Sequence, residues 1–210
     1  MRRLTAAPTD PIKNQIMRTT HLLYLHGFRS SPASIKARLT AAAVAQRHPN
    51  VTWACPALPA SPRQAMQDIL QLVADWPNAT MAVVGSSLGG FYATWLAERL
   101  GCKAVLLNPA VLPARDLAEQ VGAQQLWHDP QQSFNFDAAF VTELHALEVP
   151  RISQPERYFA VIAKGDEVLD WREMIGHYPG ATIKLLAESD HALSDYAQHL
   201  DQVLEFLQLV

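Results

Sequence analysis

The chain has 210 residues and a formal net charge of −3 at pH 7. This length is enough for one domain with a sizeable core, and Lys and Arg form no cluster of the kind that binds nucleic acid. No apolar run approaches the roughly 20 residues of a membrane-spanning helix, and the basic N-terminus lacks the apolar stretch of a signal peptide. We therefore expect a cytoplasmic protein that neither binds nucleic acid nor spans a membrane.

The first segment, residues 1–20, is polar, contains Pro8 and Pro11, and has neither strand nor helix periodicity. We expect it to be a loose extension that precedes a single domain over residues 21–210. Met17 lies just before the first predicted strand. Translation starting at Met17 and an added leader before it are both open interpretations of residues 1–16.

From residue 21 onward, short β-rich runs alternate with helical patterns, which is typical of a mainly parallel sheet with helices on both faces. The predicted strands span residues 21–25, 51–54, 80–84, 103–107, 157–163 and 181–187. The predicted helices, two of which open with a Ser-Pro pair, span residues 31–48, 61–76, 88–99 and 195–209. The pattern indicates an α/β fold with about six strands.

The third predicted strand breaks into Gly85-Ser86-Ser87-Leu88-Gly89 and continues as a helix that Gly101 ends. This is the pattern of a nucleophile elbow, in which a strained turn holds the central serine, here Ser87, above the sheet. The backbone N–H of Leu88 would lie at a helix N-terminus, where negative charge is favoured, and is therefore half of a predicted oxyanion hole. The alternative is a tight turn whose serine only caps the helix.

A serine nucleophile needs a base, and the base needs a group that orients it. Asp166 follows the predicted strand 157–163, and His191 follows the strand 181–187. Both come at the carboxyl ends of strands, where open α/β sheets place their sites. The chain order serine, acid, histidine is the order of the hydrolase fold built on this elbow. We predict Asp166 as the acid and His191 as the base.

Several nearby residues could also fill these roles. Asp170 and Glu167 are alternative acids, but we expect Asp170 to cap the following helix. His177 and His199 lie in or at the ends of predicted helices, which favours a surface or helix-terminal role. Asp190, beside the predicted base, has no obvious role.

The second oxyanion donor is predicted in the loop after the first strand, His26-Gly27-Phe28. Gly27 lets the backbone turn its N–H groups inward, so the amide of Phe28 is the candidate donor. We expect His26 to brace the loop. The following residues, 29–31, either meet a polar group of a substrate or form a solvated turn.

The histidines lack the spacing of a metal site, and no phosphate-binding or dinucleotide-binding glycine motif is present. The two cysteines, Cys55 and Cys102, are far apart and outside any metal or redox motif, so we expect ordinary thiols in a reducing compartment. The sequence therefore predicts no metal and no cofactor.

Roughly 45 residues separate Pro109 from the next strand, whereas connections usually have about 2 to 6 residues. We predict an insertion over about residues 111–154. One amphipathic helix is expected within it, because five apolar residues recur at helical spacing: Phe136, Ala139, Phe140, Leu144 and Leu147. Whether this helix packs on the sheet flank or caps the site is left open.

Four segments carry a family resemblance. They are LLYLHGFRSSP at 22–32, VGSSLGGFYATW at 84–95, NPAV at 108–111 and GDEVLD at 165–170, and they resemble the YqiA-type small bacterial esterases. The resemblance runs from about residue 21 to the end of the chain. It implies an α/β-hydrolase core that lacks the first antiparallel strands of that fold, a triad of Ser87, Asp166 and His191, and activity on acyl esters or thioesters.

The first functional hypothesis is a serine esterase that acts on a small acyl ester through an acyl-enzyme. An acyl-CoA thioesterase is the alternative among enzymes, with Arg29 or Arg115 as candidates to meet the phosphates. A non-catalytic protein that uses the hydrolase fold to bind a partner is the alternative from another class. The sequence leaves the oligomeric state, the acyl chain length and the choice between ester and thioester open.

Overall fold

The computed structural model describes residues 18–127 and 129–209. The predicted extension therefore lies mostly outside the described residues. Its last two residues belong to the domain, because the Thr19 hydroxyl donates to the carbonyl of Leu207 at 2.5 Å and the Thr20 amide donates to the carbonyl of Thr80 at 2.8 Å. Ordered contacts thus begin at least two residues before the predicted boundary.

The described residues contain eight strands. They are β1 (His21–Leu25), β2 (Thr52–Ala54), β3 (Met81–Ser86), β4 (Lys103–Leu107), β5 (Gly122–Gln125), β6 (Ser133–Phe136), β7 (Tyr158–Ala163) and β8 (Thr182–Leu186). Six of them form one parallel sheet in the spatial order β2-β1-β3-β4-β7-β8. These six are the strands that the sequence predicts, with each boundary within two residues of the prediction.

The α-helices of the described residues are α1 (Ile35–Arg47), α2 (Pro62–Leu72), α3 (Leu88–Leu100), α4 (Pro113–Leu117), α5 (Ala138–His145), α6 (Trp171–His177) and α7 (Leu200–Phe206). Helix α2 begins at Pro62 as predicted, with Ser61 as its cap. The start of α1 was predicted wrongly, because Ser34 rather than Ser31 accepts the capping bond. Gly101 ends α3 in the left-handed conformation that its position in the sequence predicts, with φ 75°.

The sheet has an apolar core on each face. Alternate residues of β1 show the division: Leu22 and Tyr24 pack against α1 and α7, whereas Leu23 and Leu25 face α2 and α3. The strands of the central pair, β3 and β4, are buried almost throughout. Because all six strands run parallel, their carboxyl ends meet at one edge of the sheet, and the loops after β1, β3, β7 and β8 converge there.

The long insertion holds α4, an antiparallel hairpin of β5 and β6, and α5. The predicted amphipathic helix is present as α5, but Phe136 lies in β6, and Asp137 caps the helix after it. The hairpin was not predicted, because its strands have only four residues each: β5 has no apolar alternation, and the alternation of β6 covers only two phenylalanines. Helix α5 is tied to α2 through Glu143, whose carboxylate accepts from the Ser61 hydroxyl at 2.6 Å.

Candidate active site

The turn between β3 and α3 has the geometry of the predicted elbow. Ser87 has φ 54° and ψ −120°, a conformation that a side-chain-bearing residue adopts at a cost. Two glycines allow the strand and helix to approach: a Cβ on Gly85 would lie 2.2 Å from the carbonyl oxygen of Gly89, and a Cβ on Gly89 would lie 2.0 Å from that of Leu25. The tight turn therefore requires glycine at both positions.

The structure brings the three predicted side chains together. The hydroxyl oxygen of Ser87 lies 3.1 Å from Nε2 of His191, and Nδ1 of His191 lies 2.7 Å from Oδ2 of Asp166. The Asp166 side chain is fully buried, whereas the His191 side chain is 20% exposed. The second carboxylate oxygen, Oδ1, accepts from the amides of Val168 and Leu169, each at 2.8 Å.

These contacts determine which ring nitrogen of His191 carries the proton. Because an ionised carboxylate only accepts hydrogen bonds, Nδ1 of His191 carries the proton that it donates to Asp166. Nε2 is then unprotonated and can accept the hydroxyl proton of Ser87. The arrangement is that of a serine with a base and an orienting acid.

Asn108, at the end of β4, was not predicted as a site residue. Its fully buried side chain donates from Nδ2 to the carbonyls of Asp190 and His191 at 2.9 and 3.1 Å, and its Oδ1 accepts from the amide of Ala163 at 2.8 Å. It thereby joins the loop of the histidine to the end of β7, just before Asp166. The signal in the sequence was a polar residue at the carboxyl end of a buried strand.

Two charged side chains also hold the histidine loop. Lys36 of α1 donates from Nζ to the carbonyl of Ala192 at 2.5 Å. Burial lowers the pKa of Lys36 to about 8, although the nearby carboxylates of Asp190 and Asp166 favour its charged form. Glu167 accepts from the backbone amide of His191 at 3.0 Å. Glu167 is therefore placed as a support for the histidine loop.

The remaining carboxylates and histidines that could have served as acid or base have partners elsewhere. Asp170 caps α6 as expected, accepting from the amide of Arg172 at 2.9 Å. His199 is buried, and its Nε2 lies 2.9 Å from a carboxylate oxygen of Asp195. His177 is the last residue of α6, as its position in the sequence indicates. Asp190 accepts from the amide and hydroxyl of Ser194, which stabilises the turn after the histidine.

The loop after β1 reaches the nucleophile. A Cβ on Gly27 would lie 3.1 Å from the Cβ of Ser87, tighter than an ordinary van der Waals contact, so glycine favours this close approach. Leu88 is the first residue of α3, and its N–H has no acceptor within the helix. His26 braces the loop: Nδ1 lies 3.0 Å from the carbonyl oxygen of Gly27, and Nε2 accepts from the amide of Leu58 at 3.2 Å.

Two cavities meet at Phe28, Arg29 and Leu88. The first, of about 300 Å³, contains Ser87 and His191 and is otherwise lined largely by the insertion and the loop after β7. The second, of about 260 Å³, lies on the other side of these three residues. Its further lining residues include Leu58, Pro59, Ala60, Tyr92, Leu126 and Phe134. The insertion thus contributes walls to both cavities.

Residues 18–127 and 129–209 contain no group of three or more His, Cys, Asp or Glu side chains placed to hold a metal ion. In the same part of the chain, no helix is both long and apolar enough to cross a membrane. Both cysteines are free thiols; burial raises the pKa of Cys55 to about 11 and that of Cys102 to about 12.

The chain is similar to known proteins in both sequence and fold. It is 23% identical over 194 residues to UPF0227 protein YE1706 of Yersinia enterocolitica, covering 90% of this chain and 99% of that protein. A proposed hydrolase from Agrobacterium vitis S4 superposes with a TM-score of 0.72 at 16% identity, over 90% of each chain. Est1E of Butyrivibrio proteoclasticus, solved with ferulic acid, superposes with a TM-score of 0.66 at 14% identity, over 93% of this chain and 89% of its own.

These structural neighbours show that the fold is that of the α/β hydrolases, as the sequence predicts. The family model described as "Uncharacterised protein family (UPF0227)" matches residues 21–208, which is nearly the whole described domain. The resemblance to the YqiA-type proteins is thereby confirmed, and the chain belongs to the UPF0227 family.

Proposed function

We propose that this protein is a serine hydrolase that cleaves small carboxylic esters through an acyl-enzyme. The observation that carries the proposal is the continuous chain of contacts from Ser87 to His191 at 3.1 Å and from His191 to Asp166 at 2.7 Å. Ser87, the first residue in this series of contacts, has a positive φ and lines a cavity of about 300 Å³ together with His191. A serine that only capped α3 would not need this partner, and Ser87 makes no side-chain cap bond.

The reaction follows from the positions of these atoms. Ser87 Oγ attacks the ester carbonyl while Nε2 of His191 takes its proton, and Asp166 stabilises the resulting imidazolium. The amides of Leu88 and Phe28 bind the negative oxygen that forms. His191 then protonates the departing alcohol. Water, activated by the same histidine, releases the acid and regenerates the serine.

Nothing in the site favours a thioesterase. Arg115, one candidate for the CoA phosphates, binds both carboxylate oxygens of Glu173 at 2.8 and 2.7 Å. Arg29, the second candidate, donates to the carbonyl of Gln125 and lies over the ring of Trp127. The Arg115 guanidinium is thus paired with a carboxylate, and Arg29 is already bound to the hairpin, so a simple ester is the substrate class that we propose.

The test is covalent labelling with a fluorophosphonate probe, followed by intact mass and peptide mapping. We expect one adduct, on Ser87. The Ser87→Ala variant should lose the adduct and about 10⁴- to 10⁶-fold of kcat on p-nitrophenyl esters, with its fold unchanged. Measuring kcat on acyl-CoAs of the same acyl chain lengths in parallel compares thioester with ester substrates.

The neighbouring serine provides a matched control. Ser86 is the last residue of β3 and is buried, so Ser86→Ala removes a hydroxyl one residue away from the proposed nucleophile. We expect this variant to keep both labelling and turnover. Equal activity of Ser87→Ala and the wild type would overturn the serine mechanism, and folded wild-type protein that is not labelled would favour a partner-binding role.

A further inference from the structure

The loop that carries the second proposed oxyanion donor is held by the distant hairpin of the insertion. The carbonyl of Arg29 accepts from the amide of Trp127 at 2.9 Å, and Nε of Arg29 donates to the carbonyl of Gln125 at 2.6 Å. Its guanidinium carbon lies 4.0 Å from the centre of the Trp127 ring. Both the backbone and the side chain of one loop residue are therefore bound to the end of β5.

The residue before it is held by the same hairpin. The ring of Phe28 meets those of Phe134 and Phe136 edge to face, with ring centres 5.7 and 5.3 Å apart. Phe136 is buried, and its ring also contacts that of Phe140, in α5. Such edge-to-face pairs stabilise the contact beyond simple burial. The hairpin therefore fixes the side chain of the residue whose amide we propose as the second oxyanion donor.

Arg29 itself has φ 58°, in the left-handed region that residues other than glycine enter at a cost. A strained residue keeps this conformation only where surrounding contacts hold it. The contacts with Gln125 and Trp127 are of this kind. If they are lost, the backbone at Arg29 can relax towards negative φ. This rotation turns the preceding peptide groups, including the N–H of Phe28, relative to Ser87.

We propose that Arg29 is a positioning residue, which couples the hairpin of the insertion to the oxyanion hole by holding the Phe28 amide towards Ser87. This inference rests on the proposed esterase function. It gives the insertion a role in the chemical step, in addition to lining the two cavities. Arg29 acts through the backbone and needs no contact with the substrate.

The experiment compares three variants on p-nitrophenyl acetate, whose acyl group is too small to extend far into either cavity. Removing one oxyanion donor costs on the order of 10²- to 10³-fold in kcat, and a displaced donor should cost less. We expect Arg29→Ala to lower kcat by about 10- to 100-fold, with KM within about threefold. Arg29→Gly should recover most of this loss, because glycine adopts positive φ without strain.

Arg99→Ala is the matched control. Arg99 also lies over an indole ring, that of Trp95, at 5.3 Å, but at the far end of α3 from Leu88. We expect its kcat within about twofold of the wild type. A trifluoromethyl ketone, whose adduct places an oxyanion between the two amides, gives an independent readout: its affinity should fall in parallel with kcat in Arg29→Ala and stay unchanged in Arg99→Ala.

The outcomes separate this inference from the proposed function. Activity that depends on Ser87 but is the same in Arg29→Ala would overturn the positioning role alone. So would a rise of KM without a fall of kcat, or equal losses in Arg29→Ala and Arg29→Gly. If Arg29→Ala does not fold, Trp127→Ala decides, because this side chain is largely exposed and we expect its removal to spare the fold. Trp127 also lines the cavity of Ser87, so a lower kcat with KM within about threefold supports the inference. A wild-type kcat, or a rise of KM alone, overturns it.

Discussion

Replacing Asp166 by Asn tests the assignment of the acid more sharply than its deletion, because the two carboxylate oxygens have different partners. Oδ1 accepts from two backbone amides, those of Val168 and Leu169, and Oδ2 accepts from His191. In the Asn variant, the amide oxygen keeps the two backbone donors. The new NH₂ group then faces Nδ1 of His191 and donates to it.

This exchange of acceptor for donor changes the tautomer of the His191 imidazole. Nδ1 becomes an acceptor, so the proton moves to Nε2, which faces Ser87 and can no longer take the hydroxyl proton. Restoring the productive form requires turning the NH₂ group towards the two backbone amides. We expect this rotation of the amide to cost about 2–4 kcal/mol, because two backbone donors would lose their acceptor. The cost is not larger because Val168 is exposed to solvent.

The lost charge adds to this cost. A hydrogen bond to a charged group contributes roughly 1.5–3 kcal/mol, and the variant has no carboxylate to stabilise the imidazolium. The sum of about 3.5–7 kcal/mol corresponds to a loss of about 400- to 10⁵-fold in kcat. A value near 10⁴ is what the same change costs in a serine protease triad.

The assay is kcat and KM on a p-nitrophenyl ester, together with the rate of fluorophosphonate labelling and a melting curve to check the fold. Asp170→Asn is the matched control, because Asp170 caps α6 and Asn caps about as well as Asp. The change also removes an exposed ion pair with Arg172 at 3.4 Å, which contributes little. We expect its kcat within about threefold of the wild type. If Asp166→Asn keeps activity within a few fold while Asp170→Asn abolishes it, the acid has been misassigned.

Two further predictions concern stability, both measured by urea unfolding. Gly89→Ala should destabilise the fold by about 3 kcal/mol, because its Cβ would lie 2.0 Å from a backbone oxygen of β1. Gly176→Ala in α6, with no atom within 4 Å of the new Cβ, should be neutral or stabilising. Equal effects of the two changes would contradict the packing argument. Burial raises the pKa of Tyr178 and Tyr196 above the usual value near 10. Above pH 10 the unfolded chain loses these protons while the native state keeps them, so stability should fall as pH rises, by up to about 1.4 kcal/mol per pH unit for each tyrosine. Tyr196→Phe should reduce that slope, and constant stability from pH 9 to 11 would contradict the assignment.

Local signals in the sequence were sufficient for much of this protein. The six strands of the sheet, the elbow at Ser87 and the end of α3 at Gly101 all depend on a few adjacent residues, and each was predicted within about two residues of its observed place. That Asp166 and His191 lie close to Ser87 was predictable for a related reason. In a parallel sheet, the carboxyl ends of strands meet at one edge, so chain order and strand positions already bring such residues together.

The contacts that hold this site came only from the tertiary structure. Asn108 binds partners 55 and 82 residues away, Lys36 binds a carbonyl 156 residues away, and Arg29 binds a hairpin 96 residues away. None of these contacts leaves a periodic pattern near either partner. The hairpin itself has strands of only four residues, and β5 has no apolar alternation that could reveal it. The sequence determined which residues could act, because turns and caps are local, whereas the folded chain alone decided what supports them.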